Sequence, residues 1–265
     1  MSFSRKVLWI VSLENSDDER DFAQHADAAG IDTVCIRTDS PMFPGIIGRF
    51  HQMQKTVWAW RWPGVVPSQT GTYYALRQAD YVANVLIPAG LDGYIVDPES
   101  DQAGDNNDWN QTSLAPIAQQ FCSTIKKAAQ GKPFLFGTTS GCIYPSPQGK
   151  PDIPWNEFFG ASDALYPQCY WRMTVEENGK DVSLDINGGT PTKAIARGVP
   201  VWKARANGKP VIPMAGEIDL ATVAEIAEYG RQLQQSNINE AHFYADIADP
   251  AKGVPPGVLA AIKAL

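Results

Sequence analysis

Eight apolar runs of strand length recur along the chain, at 6–13, 32–39, 55–62, 93–99, 133–140, 164–171, 210–217 and 240–247, and between them lie segments of helical period. Strands separated by helices cannot pair as tight hairpins; each crossover carries the chain back over a sheet face, so neighbouring strands run parallel. Eight such alternations predict an α/β protein whose sheet closes into a single (β/α)8 barrel, a fold of usual length about 250 residues. The 265 residues fit one domain spanning 1–265, with no internal repeat, low-complexity tract or linker to divide it. The expected helices are Asp17 to Gly30 with its glycine stop, a short Pro44 to Met53, Thr70 to Ala89, 111–130, Trp155 to Phe159, a less regular 181–198, 220–236, and 255–264 opened by Pro255-Pro256. The 111–130 segment is the most regular, with Leu114, Ile117, Ala118, Phe121, Cys122 and Ile125 spaced by three and four.

A barrel keeps its chemistry at the carboxyl ends of its strands. The fourth run, Leu91-Asp92-Gly93-Tyr94-Ile95-Val96-Asp97-Pro98-Glu99-Ser100, ends there in two acids. Side chains alternate on a strand, so Gly93, Ile95, Asp97 and Glu99 share one face. Pro98 has no N–H for a ladder and marks the point where the strand opens into a loop. Carboxylates so placed suit hydrolysis: the charge of one favours a proton on the other, which then serves as acid while its neighbour orients or stabilises. A solvated acidic loop has the same composition, and the decision lies with the surroundings.

Those surroundings are aromatic and polar. The third run carries Trp58, Trp60 and Trp62 on one face with Arg61 opposite. The sixth ends Tyr166-Pro167-Gln168-Cys169-Tyr170-Trp171 with Tyr166, Gln168 and Tyr170 in phase. The seventh ends at Glu217, and the eighth runs His242-Phe243-Tyr244-Ala245-Asp246. Trp58 and Trp60 suit a core as well as a sugar platform. Trp62, Tyr170 and Trp171, nearest the loops, are candidates for stacking on a pyranose ring.

A net charge of −7 and a pI near 5.0, with no basic patch beyond Lys126-Lys127, exclude a nucleic-acid partner. Cys35, Cys122, Cys142 and Cys169 stand far apart in no Cys-x-x-Cys spacing, so they indicate neither zinc nor redox chemistry. They read as buried free thiols, with a disulfide left open. The Val7 to Val11 run after Arg5-Lys6 is too short for a signal peptide and is followed directly by acids. The expected location is therefore the cytoplasm, or export by a route independent of a signal; nothing has the length of a membrane span. His25, His51 and His242 are scattered, and only His242 can enter the barrel, as a satisfied core residue. Gly137 to Gly141 lacks the lysine of a phosphate loop, leaving Thr139 or Ser140 as sugar contacts or a plain turn. Ser140 lies in no nucleophile elbow, and Asp181, Asp185 and Asn187 do not form a calcium loop. No metal or cofactor is expected, and the oligomeric state is open.

Asp92-Gly93-x-Ile95-x-Asp97-x-Glu99 resembles the Asp-Gly-x-Asp-x-Asp-x-Glu signature of family 18 glycoside hydrolases, the chitinases and their relatives, which lies on barrel strand four. It departs from it at Ile95, where the family has its inner Asp. Gln168-Cys169-Tyr170 is similar to the Gln-x-Tyr of plant-type chitinases on strand six. The terminal Asp-x-Glu is more distantly similar to that of family 25 lysozymes, whose further Asp on strand one has no counterpart among Trp9, Val11 and Leu13. The resemblance implies a glycosidase acting on a β-linked N-acetylhexosamine polymer, peptidoglycan or chitin. It implies Glu99 as general acid, Asp97 orienting the substrate acetamide that attacks the anomeric carbon, and Tyr170 hydrogen-bonded to the acetamide carbonyl. Trp60, Trp62, Gln168, Trp171, Tyr244 and Asp246 are the expected substrate contacts. Glu217 admits two readings: the nucleophile of a retaining glycosidase with its acid on strand four, or an acid at the amino terminus of the 220–236 helix. A barrel that binds glycans or cell wall without cleaving them is the alternative that Ile95 favours.

Overall fold

The computed structural model describes residues 3–66, 72–100, 107–177, 180–245 and 254–265. Its strands are β1 (Arg5–Ile10), β2 (Thr33–Arg37), β3 (Thr56–Arg61), β4 (Gly93–Val96), β5 (Leu135–Gly141), β6 (Ala164–Gln168), β7 (Arg172–Glu177), β8 (Lys180–Asp185), β9 (Met214–Glu217) and β10 (Glu240–Ala245). Eight of them close a parallel barrel in the order β1, β2, β3, β4, β5, β6, β9, β10 and back to β1. The single (β/α)8 barrel expected from the alternation is therefore the architecture. β7 and β8 form a separate antiparallel pair inserted after the sixth barrel strand.

Alternation sorts each strand between two cores. Trp58, Trp60, Ile95, Tyr166 and Met214 fill the barrel interior with Val7, Trp9 and Cys35, while Tyr94, Val96, Phe136 and Leu165 face the helices. Bulk and its absence are matched across the ladder. Trp58 pairs with Gly93 and Ile95 with Gly137; a Cβ on Gly93 would stand 2.7 Å from Trp58 Cδ1. Close packing of this kind fills the barrel floor with indole and phenol rings in place of water.

The helices are α1 (Ser16–Ala28), α2 (Gly45–Gln52), α3 (Tyr74–Tyr81), α4 (Ala115–Ala128), α5 (Trp155–Ala161), α6 (Pro191–Lys203), α7 (Val223–Gln235) and α8 (Pro256–Ala264). Asn15 caps α1, its side chain accepting from the amides of Asp17 and Asp18. In α4 the buried Ala118, Phe121, Cys122 and Ile125 form the expected apolar stripe. The Thr70 to Ala89 expectation holds from Tyr74, with a π-helical turn at Val82–Leu86 closing it; Thr70 lies outside the described residues.

The 181–198 segment is a correction. Its first residues are the second strand of the β7–β8 hairpin, and helix begins only at Pro191, where Thr190 caps the chain by accepting from Lys193 N. The run expected at 210–217 is also shorter as a strand, with only a bridge from Val211 to Leu165 before Met214. Among the described residues no helix is long and apolar enough to cross a membrane.

Candidate active site

The two acids of the fourth run stand together at the barrel's carboxyl rim. Asp97 continues the ladder one residue beyond β4, its N–H donating to Arg61 O at 2.8 Å, and is 2% exposed. Glu99, past Pro98, is partly exposed. The Gln168 side-chain amide at the end of β6 spans the pair, Nε2 donating to Asp97 Oδ2 at 3.1 Å and Glu99 Oε1 at 3.3 Å. The bland reading, two carboxylates splayed into bulk water, is thereby excluded. Ser140 contributes from below: its buried hydroxyl donates to Pro98 O at 2.7 Å, pinning the turn between the acids, and so is not a sugar contact. Asp92, the first acid of the motif, lies at the opposite end of β4, where Oδ2 accepts from Val57 N and meets His51 Nε2, each at 2.8 Å. It staples strands and has no place in the cleft.

The acids open onto a cleft of about 410 Å³, a size that admits a small ligand or part of a larger one. Trp60 and Trp62 form one wall, ring centroids 5.1 Å apart, and Trp60 Nε1 is anchored on Ile10 O at 2.9 Å. Tyr170 stacks on Tyr244 at 5.5 Å with planes 9° apart. Burial, with Tyr244 and the carboxylates of Asp97, Glu99 and Glu217 beside it, pushes the Tyr170 hydroxyl well above its ordinary pKa. Tyr170 therefore keeps its proton and is available as a hydrogen-bond donor in the cleft that it shares with the three acids. Asn187 fixes its backbone, Nδ2 donating to Tyr170 O at 2.9 Å.

Glu217 ends β9 inside the same cleft and is 6% exposed. Its Oε2 accepts from Thr174 N at 2.8 Å and Thr174 Oγ1 at 2.6 Å, both on β7. The helix-terminal reading of Glu217 is overturned: α7 starts at Val223, and its terminus is closed by a capping box of Thr222 and Glu225. The inserted hairpin is held against the barrel by Arg172, which reaches both Glu225 oxygens at 2.7 and 3.1 Å and Asp185 at 3.1 Å.

Of the sequence-derived contacts, Trp60, Trp62, Gln168, Tyr170 and Tyr244 line the cleft, as does Thr139. Trp171 does not: it is 2% exposed and packs on Tyr229 at 6.1 Å in the outer core, because it is out of phase with Gln168 and Tyr170. Asp246 lies outside the described residues. His242 is a satisfied core residue, accepting from Trp9 Nε1 at 2.9 Å and meeting Glu240 at 2.6 Å. All four cysteines are buried and free. Cleft residues that the sequence reading missed include Tyr144, Met173, Thr174 and Asn187. The strand-like alternation of Met173, Val175, Val182 and Leu184 was the available signal for the hairpin; nothing local marks Thr174.

The fold and rim together define a (β/α)8 barrel with an acid-lined, aromatic-walled cleft at its carboxyl face. No protein-family profile and no curated protein sequence matches the chain. Solved structures share its fold. A family 18 chitinase from Pseudoalteromonas aurantia aligns over 91% of this chain and 94% of its own, with a TM-score of 0.58 and 15% identity. The spore cortex-lytic enzyme SleL of Bacillus megaterium QM B1551 aligns over 98% of this chain and 74% of its own, with a TM-score of 0.62 and 10% identity. The glycoside hydrolase domain of PgaB (BpsB) from Bordetella bronchiseptica aligns over 91% and 94%, with a TM-score of 0.60 and 9% identity. At these identities the likeness establishes the barrel.

Proposed function

We propose that the protein is a glycoside hydrolase that cleaves a β-linked N-acetylhexosamine polymer, peptidoglycan or chitin, with Glu99 as the general acid. The observation that carries the reading is the Gln168 amide spanning Asp97 and Glu99 at the rim, opposite a protonated Tyr170. Asp97, next to Glu99, disfavours a second charge beside it, which leaves Glu99 the proton it must give to the glycosidic oxygen. In this reading the substrate's acetamide oxygen attacks the anomeric carbon as that bond breaks. Asp97 accepts the acetamide N–H and Tyr170 donates to its carbonyl. Trp62 and Tyr244 offer ring surface to the pyranose rings, with the 3%-exposed Trp60 beneath them as support. The names borne by the structural neighbours, a chitinase and a spore cortex-lytic enzyme, supply the substrate classes to assay.

The test is Glu99→Gln with release of reducing ends from chitin and from peptidoglycan. A loss of about 10²- to 10⁴-fold is expected for removal of a general acid; undiminished hydrolysis refutes the assignment. Oligosaccharide binding by the unaltered protein without turnover would assign it instead to glycan binding.

Glu217 supports a second mechanism on the same substrates, because its carboxylate faces the cleft with two donors from Thr174 holding it. As nucleophile it would form a glycosyl-enzyme that water then hydrolyses, with Glu99 switching from acid to base. A chromogenic β-glycoside lacking the 2-acetamido group separates the two. Only the Glu217 route can turn it over.

A further inference from the structure

Trp62 has a second cavity on it. A hollow of about 470 Å³ shares Trp62 with the acid-lined cleft and is lined also by Arg61, Tyr74, Arg77, Gln78 and Asn107. Arg37 completes a basic cluster, its guanidinium 4.7 Å from the Trp62 ring centroid, with that of Arg61 at 5.9 Å. Asp39 is shared between two of these cations, pairing with Arg37 Nε at 2.5 Å and with Arg61 Nη1. Arg77 stands over the Tyr74 ring at 5.9 Å and, among the described residues, pairs with no carboxylate. Among the described residues, three guanidiniums to one acid is an excess of positive charge in a chain whose net charge is −7. It lies beside the indole best placed to hold a sugar.

A neutral glycan needs the indole face and a few hydrogen bonds, not cations. A guanidinium fork matches a carboxylate; Arg77 is the guanidinium of the three that Asp39 does not hold, and Arg61, with its side chain 26% exposed, adds positive charge to the wall beside it. We propose that this hollow is a subsite for a carboxylate borne by the glycan, so that the enzyme prefers a carboxylate-bearing strand, peptidoglycan, over neutral chitin. The proposal rests on the glycosidase reading of the adjoining cleft.

Glu99→Gln protein provides the binding test. Its affinity is measured for an N-acetylglucosamine hexamer, for a hexamer alternating with N-acetylmuramic acid carrying free lactyl carboxylates, and for the same chain bearing stem peptides. One charged contact predicts about tenfold tighter binding of a carboxylate-bearing chain, fading as salt rises. Adding Arg77→Gln, a change at an exposed position, should remove most of that difference. The lactyl and stem-peptide arms show which carboxylate is read. Equal affinity for all three chains, or a preference that survives in the double variant, overturns the subsite. Failure of the glycosidase reading would appear separately, as absent turnover by the unaltered protein on every polymer.

Discussion

Gly137→Ala tests how tightly the floor beneath the acids is packed. Gly137 faces Ile95 across β4 and β5. A Cβ there would stand 2.6 Å from Tyr166 Cε2 and 3.1 Å from Ile95 Cδ1. Ordinary contact begins near 3.5 Å, so the Tyr166 ring must retreat by about 0.9 Å. It has little room: it is fully buried, with His242 at 4.5 Å, Trp58 at 6.2 Å and Trp9 at 6.4 Å between centroids. Overpacking of this kind costs about 1–3 kcal/mol, and replacing a strand glycine returns roughly 0.5–1 kcal/mol. Taking the middle of each range, the expected net loss is about 1.25 kcal/mol, a fall in Tm of roughly 2–5 °C for a chain of this size. Thermal melts followed by tryptophan fluorescence measure it. Because Tyr166 lies two residues below Gln168, and Ile95 two below Asp97, the displaced ring should also loosen the amide bridge and lower kcat. A variant as stable and as active as the original protein would refute the packed-floor argument.

Thr174→Val keeps the shape and the backbone donor but removes the hydroxyl bond to Glu217. A charge-assisted bond is worth about 1.5–3 kcal/mol, so kcat should fall roughly tenfold or more if Glu217 takes part; an unchanged kcat removes Glu217 from the chemistry. Glu240 sets an acid limit on stability. Burial, the largest influence, pushes its pKa up, but the hydrogen bonds from His242 and Arg5 and the charge of Arg5 outweigh it, so the folded value lies below the ordinary one. Its stabilisation is thus present above the ordinary carboxyl range and is lost as pH falls through the folded pKa. Glu240→Gln should lower Tm at neutral pH and flatten its decline on acidification, and parallel curves of Tm against pH for the two proteins would contradict this.

What was legible in the sequence followed from periodicity. The barrel strands declare themselves because each is buried on both faces and reads as an apolar run, and the acid pair declares itself because period two carries Ile95, Asp97 and Glu99 onto one side. The same rule separates Tyr170 from Trp171, although both were expected as contacts, and the Thr222–Glu225 capping box that the structure shows at the start of α7 was overlooked, which left Glu217 open to a helix-terminal role. The β7–β8 hairpin was not legible as a wall of the cleft. Its strands bury no continuous apolar face, and Thr174 meets Glu217 across 43 positions of sequence through a tertiary contact that no local pattern encodes.

Ile95, where the resembled signature has an acid, has a structural counterpart that clarifies what kind of site this is. An acid at that position would project into the layer of Trp58, Trp60 and Tyr166, where it would meet rings and Gly137. Burying a carboxylate there without partners costs several kcal/mol, and Ile95, fully buried, fills the space with methyl groups instead. The polar contact to Asp97 comes from beside it: the Gln168 amide reaches Asp97 and Glu99 at once. An amide donates but carries no exchangeable charge, so it can hold two carboxylates in register without taking the proton that the proposed mechanism asks of one of them. An apolar residue at position 95 is therefore compatible with the proposed acid pair, provided that the amide stays where β6 holds it and the apolar layer below keeps water out.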